Sequence, residues 1–152
     1  MMTTYEFISI IIAITSFIFS LIAFFSSKRT AVAQIELYIN ERITNTKEKV
    51  SEQAGVIAPL KAKQTLSEEE KRLLGLHEII FWAAVENNLN AYEEACAKYL
   101  DKKIDRERFK KTYKKEIRQL VEDKNLKKYF DTVSSSYKTI LKVYNEWENS
   151  EK

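Results

Sequence analysis

The chain has 152 residues, and its 25 Lys and Arg against 22 Asp and Glu give a net charge of +3. This length suits one domain, and two Gly with one Pro are too few turn residues for a β-sandwich, a barrel or a Rossmann unit. A single Cys and a single His exclude a disulfide framework, a Cys-based zinc site and a His-cluster metal site.

The first feature along the chain is the uncharged, strongly apolar segment from Phe7 to Phe25. As a helix it would be about 28 Å long, close to the roughly 30 Å hydrocarbon core of a bilayer. The segment is interrupted by Ser9, Thr15, Ser16 and Ser20, whose hydroxyls can bond back to the helix backbone. Residues 1–27 are therefore predicted to form a transmembrane anchor. A secretory signal peptide and a soluble core helix are the alternatives.

The residues flanking this segment predict its orientation and argue against a signal peptide. The start, MMTTYE, has no basic residue, and the exit, FFSSKRT, has no small-x-small cleavage site. The first basic residues are Lys28 and Arg29, so the positive-inside rule places the following part in the cytoplasm. A single-pass protein of a bacterial inner membrane is the natural setting.

Residues 28–52 are predicted to continue as a juxtamembrane helix with one apolar seam. The seam follows three- and four-residue steps, which is the helical period: Val32, Ile35, Ile39, Ile43, Thr46 and Val50. It has two interpretations, packing against the rest of the domain or self-association as a short coiled coil. Gly55 and Pro59 then predict a linker over residues 53–66.

Residues 67–152 are predicted to form a cytoplasmic helical domain. Ser67 and Glu70 form a capping-box pattern that starts a long helix ending near Leu100. Asp105 is a good N-cap for a third helix over about 106–122, and a short turn near 126–130 precedes a last helix starting near 134–136. The predicted fold class is all-α, one N-terminal transmembrane helix plus a cytoplasmic bundle of about four helices.

The apolar faces of these helices supply the candidate core. On the long helix it comprises Leu73, His77, Phe81, Ala84, Val85, Tyr92, Ala95, Cys96 and Tyr99. On the last two helices it comprises Phe109, Tyr113, Ile117, Leu120, Val121, Tyr137, Ile140, Leu141, Tyr144 and Trp147.

Residues that could carry catalysis are few, and each has a structural interpretation. His77 lies on an apolar face and is read as a core residue, with a ligand contact as the alternative. Cys96 lacks a neighbouring His to activate it, and Glu93 and Glu94 point about 100° apart on a helix. No Walker, GxGxxG or HExxH motif occurs. We predict that the chain is not an enzyme and uses no cofactor.

The charge distribution is the strongest functional signal. Residues 66–94 carry a net charge of −5, whereas residues 98–128 carry +7. Basic residues form two rows on the third helix, and these are the predicted ligand-binding residues: Lys103, Arg106, Lys110 and Lys114 in one row, and Arg108, Lys111, Lys115 and Arg118 in the other. Three interpretations compete, namely a solvated face that pairs with the acidic helix, a surface for a nucleotide or nucleic acid, and a contact with anionic headgroups.

Several short motifs carry a resemblance to known proteins. They are Leu89-Asn90-Ala91-Tyr92-Glu93 with Ala95, then Ile104-Asp105 with Phe109 and Tyr113, and finally Tyr144 with Glu146-Trp147. Over roughly 60 residues the chain resembles small uncharacterised bacterial membrane-anchored proteins with an N-terminal transmembrane helix and a short helical cytoplasmic domain. Lys102-Lys103 replaces the Gly that usually precedes the Ile-Asp pair. The resemblance implies a defence-linked or mobile-element context and brings no catalytic residues.

These observations lead to two function hypotheses besides an enzyme. The first is an oligomeric membrane sensor or effector whose helices bind an anionic signal, such as a cyclic oligonucleotide of antiviral defence. The alternative is an adaptor that holds a protein partner at the membrane. Small residues in the apolar segment, together with the seam, predict a homo-oligomer; these residues are Ala13, Ser16, Ser20 and Ala23.

Overall fold

A computed structural model describes residues 4–150, and every regular element in that range is helical. The elements are α1 (Thr4–Lys61), α2 (Glu68–Leu100), α3 (Arg106–Glu122), a 3₁₀ turn (Lys127–Tyr129) and α4 (Lys138–Asn149). The prediction of an all-α chain is confirmed. The limits predicted for the second and third helices match those of α2 and α3.

The first half of α1 exposes its apolar side chains to the surroundings. Among the described residues, α1 is the one helix long and apolar enough to cross a membrane, and none of its most apolar stretch is buried. Ile8, Phe17 and Phe19 are all more than half exposed. The hydroxyls of Ser9, Thr15 and Ser20 donate to backbone carbonyls four residues earlier, as predicted, so their polar groups are satisfied within the helix.

The second half of α1 packs antiparallel to α2 along its apolar seam. Ile39, Ile43 and Thr46 are buried, and the Thr46 hydroxyl lies 3.0 Å from Asn88 Oδ1 on α2. Farther along, Lys61 pairs with Glu78 at 2.7 Å. The seam is therefore covered within the chain, which is the packing interpretation. The coiled-coil interpretation of this seam is wrong, because its central residues have no free face.

The linker predicted over residues 53–66 is largely helical instead. α1 runs through Gly55 and Pro59 to Lys61, and only residues 62–67 connect it to α2. Pro59 lies in the last turn of α1. Its missing N–H removes one backbone hydrogen bond there, and no further helical turns follow that it could disrupt. Ile57, which is 6% exposed, and the Lys61–Glu78 pair hold this turn against α2. Tertiary packing thus overrides the local signal from Gly and Pro.

The ends of α2 follow from local hydrogen bonds. The Ser67–Glu70 capping box is formed in both directions, as predicted. At the other end, the Lys102 N–H donates to Tyr99 O and the Lys103 N–H donates to Lys98 O, which is a Schellman motif. Lys102 takes the left-handed position of that motif with φ 56°, a place that favours glycine.

α4 begins at Lys138, a few residues later than predicted. The Ser135 hydroxyl is held elsewhere, because it donates to Tyr129 O and accepts from the Tyr137 N–H. The first free N–H groups of α4, at Thr139 and Ile140, instead donate to the Glu93 carboxylate of α2 at 2.8 and 2.9 Å. A carboxylate from a neighbouring helix thus replaces the local cap.

The core lies where α3 and α4 cover the second half of α2. Trp147 is 2% exposed, and its ring packs edge-to-face on Tyr99 with centroids 5.4 Å apart. Leu89, Ile117 and Ile140 are fully buried. The first half of α2 is different: Leu73, predicted as core, is 45% exposed, and the cause is that α3 and α4 do not extend that far along α2.

Candidate functional site: a basic groove on α3

The outward face of α3 forms an open groove of about 520 Å³ that is lined mainly by cations. We call it the basic groove, and its lining residues are Glu107, Lys110, Lys111, Lys114, Lys115 and Arg118. The lining holds five basic side chains and one carboxylate. All five belong to the predicted ligand-binding set, and they come from both predicted rows.

Local sequence explains why these side chains converge. Phe109, Tyr113 and Ile117 recur every four residues and are buried, so they fix which side of α3 faces the core. Asp105 caps the start of α3, and its carboxylate accepts from the Arg108 N–H at 3.0 Å. With the helix start and its buried face both set, the remaining lysines point outward together.

α4 holds two of the cations that line the basic groove. The Arg118 guanidinium is held by both oxygens of Glu148, with its Nη2 2.6 and 2.8 Å from them, and this pairing raises the pKa of Arg118. Lys110 Nζ donates to Ser150 Oγ at 3.1 Å. These contacts position two of the five cations and offset part of the charge of Arg118. Sequence reasoning missed Glu148 and Ser150, because only the fold places the end of α4 beside α3.

Three predicted binding residues lie outside the basic groove. Lys103 lies 3.5 Å from Asp101 in the α2–α3 connection. Arg106 stacks over the Tyr99 ring and pairs with Glu146, and Arg108 pairs with Glu36 of α1 at 2.8 Å. They occupy the first turn of α3 and its entry, so they do not line this groove with the other five.

The ion pairs of the acidic helix and of the basic helix lead to different partners. Arg106, Arg108 and Arg118 of α3 pair with carboxylates of α1 and α4. The α2 carboxylates of Glu70, Glu78 and Glu94 pair with basic residues of α1 and the following connection. The pairing of the basic rows with the acidic helix, one of the three interpretations, is not among these ion pairs. Instead α2 and α3 share hydrogen bonds, from the Tyr92 hydroxyl to Glu116 and from Arg106 to the Tyr99 hydroxyl at 3.0 Å.

The electrostatics of the basic groove favour an anion. α3 carries seven basic and three acidic residues, and Lys111 and Lys115 are exposed with no ion partner within residues 4–150. Clustered like charges repel each other, and an anion placed among them relieves that repulsion. No aromatic ring lines the groove. Its chemistry therefore suits phosphate oxygens and offers no stacking surface for a base.

The other reactive side chains have structural environments. Cys96 is fully buried, and desolvation raises the pKa of its thiol, which keeps it neutral. His77 is half-buried, with Nδ1 enclosed and unpaired in the described contacts. Glu93 caps α4 and Glu94 pairs with Arg42, so the two carboxylates contact different helices and do not form a pair. Within residues 4–150, no group of three His, Cys, Asp or Glu side chains is placed to hold a metal.

A second cleft of about 390 Å³ lies between the second half of α1, α2 and the segment after α3. Its walls are mostly apolar, with Phe81, Trp82 and Leu126 among them. Sequence reasoning missed this cleft, because it joins residues far apart in the chain.

Comparison with known protein families, curated proteins and solved structures finds no match to this chain.

Proposed function

We propose that this protein is a non-enzymatic, single-pass membrane protein of a bacterial inner membrane, whose cytoplasmic helical bundle binds a phosphate-bearing anion in the basic groove. The observation that carries the proposal is the convergence of five cations on one open surface. A cyclic oligonucleotide of antiviral defence remains the ligand class that we favour. The groove would hold its phosphates, since its lining has no ring on which a base could stack.

The membrane part of the proposal follows from exposed apolar area. In water, residues 8–25 would expose an uncharged and mostly apolar surface on every side of a helix, which is the pattern of a membrane span. Lys28 and Arg29 follow this stretch, and Lys28 Nζ lies 4.7 Å from the centre of the Phe24 ring. An aromatic ring beside a cation suits the interface, and the charge asymmetry supports a cytoplasmic position for the remaining chain.

The binding part follows from how the cations are held. Arg118 and Lys110 are fixed by α4, so part of the groove is preformed before any ligand arrives. Lys111 and Lys115 extend freely and can adapt to the spacing of successive phosphates. Binding of this kind depends strongly on salt, because each neutralised phosphate releases counterions.

The test is equilibrium binding of fluorescein-labelled cyclic tetra-adenylate to the full chain in zwitterionic nanodiscs at several salt concentrations. Changing Lys111, Lys114 and Lys115 together to Gln should weaken binding by about tenfold or more and reduce the salt slope by about 2. The matched control neutralises three exposed lysines elsewhere, Lys49, Lys124 and Lys138, and should retain the affinity. Equal losses in both variants would show only a general charge effect and overturn the site.

Competition identifies what the groove recognises. Tripolyphosphate should displace the labelled probe in proportion to its charge, because the groove presents cations and no stacking ring. If unlabelled cyclic tetra-adenylate competes and tripolyphosphate does not, recognition depends on the bases and the phosphate assignment is wrong.

The adaptor is the second candidate, and the apolar cleft beside Phe81 and Trp82 is the observation that favours it. An aliphatic segment of a protein partner is the occupant that such walls would take. The same binding series separates the two functions. An adaptor predicts no salt-dependent binding of either phosphate probe and no effect of the lysine changes.

A further inference from the structure

The first half of α2 carries an apolar surface that no other element of the described chain covers. Leu73, Leu76, Ile79 and Ile80 are 45%, 51%, 69% and 48% exposed, and Ala83 is exposed beside them. We call these five residues the outer stripe. Leu73, Leu76, Ile80 and Ala83 follow steps of three, four and three residues, so they share one face of the helix. The partly buried Leu74 and Phe81 lie on another face.

We propose that the outer stripe is the contact between two copies of this chain, packed side by side in parallel in the same membrane. This inference rests on the proposed membrane anchor and is independent of the anion site. The spacing assigns Leu73, Ile80 and Asn87 to the a positions of a heptad, and Leu76 and Ala83 to the d positions. An Asn at one a position favours a parallel, in-register pair, because it can hydrogen-bond to the same residue of the second copy.

Asn87 is available for that role. It is exposed, and no hydrogen bond involving its side-chain amide is found within residues 4–150. The neighbouring Asn88 is different, since it faces inward and lies beside the Thr46 hydroxyl. Thus one Asn of this pair serves the chain's own packing, and the other continues the line of the outer stripe.

The anchor explains why the partner would be a second copy in parallel orientation. Copies inserted in one membrane share their direction and their height above it. α2 runs back along α1, as the Lys61–Glu78 and Arg42–Glu94 pairs show, so its outer stripe is at the same height in every copy. A two-fold axis along the membrane normal then brings Ile80 against Ile80 of the second copy.

The area of the outer stripe sets the conditions for pairing. From Leu73 to Asn87 the helix rises about 21 Å, and a helix is about 10–12 Å wide. The contact is therefore on the order of 200–300 Å² per copy, well below the roughly 800 Å² per partner of a standard interface. Such a patch pairs weakly in dilute solution, whereas tethering to one membrane raises the effective concentration enough to populate the pair.

Disulfide trapping in lipid vesicles tests this proposal with the full chain. Ile80→Cys should form a covalent dimer under mild oxidation, because a positions of a parallel pair bring their Cα atoms within disulfide range. The matched control is Lys71→Cys, which is exposed on the same helix at an f position and so faces away from the a and d positions. We expect the Ile80→Cys dimer to form about tenfold faster. The natural Cys96 is fully buried and should not react.

Two further experiments test whether the trapped dimer forms through the outer stripe. Adding Leu76→Glu to Ile80→Cys should abolish trapping while circular dichroism remains helical, and diluting the protein about 100-fold in lipid should reduce trapping. Similar trapping at Lys71 and Ile80, or none at Ile80, would overturn the pair. Resistance to carbonate extraction reports the anchor, and the lysine variants report the anion site, so either part of the proposed function can fail separately.

Discussion

The two halves of α2 belong to one uninterrupted helix but differ in their surroundings. In the second half, Val85, Leu89, Tyr92, Cys96 and Tyr99 are all at most 7% exposed and form the centre of the core. In the first half, large apolar side chains such as Ile79 are more than half exposed. The second half contacts α1, α3 and α4. The first half has α1 alongside it and, near its C-terminal end, the segment after α3, where Lys128 lies over the Trp82 ring.

This difference shows that an apolar sequence does not by itself stabilise the fold of this chain. Both halves are comparably apolar in sequence, yet only the second half removes its apolar side chains from water within one chain. The free energy of folding is therefore concentrated in the second half. The first half retains apolar surface that can act in association.

Trp147 offers the largest test of this contrast. Trp147→Ala should destabilise the fold by about 3–5 kcal/mol, because it empties a buried site and leaves the Tyr99 hydroxyl without the indole donor at 2.9 Å. Ile79→Ala, in the exposed stripe, should change stability by less than about 0.5 kcal/mol. Denaturant unfolding of the full chain in detergent measures both, and equal losses would remove the contrast.

Glu93 tests how the second half of α2 organises α4. Glu93→Ala should cost about 1–2 kcal/mol, since the N–H groups of Thr139 and Ile140 lose their shared acceptor. Glu94→Ala is the neighbouring control and removes only a partly exposed pair with Arg42, for which we expect at most about 1 kcal/mol. Hydrogen exchange should show the loss as faster opening of the first turn of α4.

A substitution of Lys102, just after the second half of α2, should stabilise the fold. Lys102→Gly should raise stability by about 1 kcal/mol, because glycine takes φ 56° without the steric cost of a Cβ. Lys103→Gly removes the same charge next to it but gains no such relief. A thermal melt in which both variants shift alike would mean that the charge, and not the backbone conformation, matters.

Glu70 gives the smallest and most local effect, at the start of the first half. Its hydrogen bonds to Lys63 and to the Ser67 N–H lower the pKa of this carboxyl to about 2. Because the folded pKa lies below the usual 4.5, its contribution is present above about pH 4.5 and is lost as the pH falls towards 2. Protection of the first-turn amides of α2 against hydrogen exchange, relative to the intrinsic exchange rate at each pH, should fall across this window. Glu70→Gln should remove the dependence, unlike Glu69→Gln.

Local signals predicted most of the helices. The Ser67–Glu70 box and the Asp105 cap fix helix starts within a few residues, so α2 and α3 match their predicted limits. The linker prediction failed because Gly55 and Pro59 are weak breakers once Ile57 is buried. The start of α4 could not be foreseen, since its cap comes from Glu93, which lies 46 residues earlier.

The candidate site was predictable in composition but not in shape. Clustered lysines on α3 are visible in the sequence, yet which of them share a surface depends on the neighbours of α3. Arg106 and Arg108 do not line the groove. Tyr99 and Glu146 hold the Arg106 side chain, and Glu36 holds that of Arg108. Those partners lie on three other helices, so spacing along one helix cannot identify them.

The continuity of α1 has a mechanical consequence. No break separates its exposed apolar half from the half that packs on α2, so one rigid rod joins both regions. Residues 28–61 extend about 51 Å beyond Ser27. In a bilayer, a 10° change in the tilt of the first half would swing the far end by about 9 Å. In the proposed membrane-spanning arrangement, bilayer thickness, which governs such tilts, would then move the half of α1 that packs on α2 without any ligand.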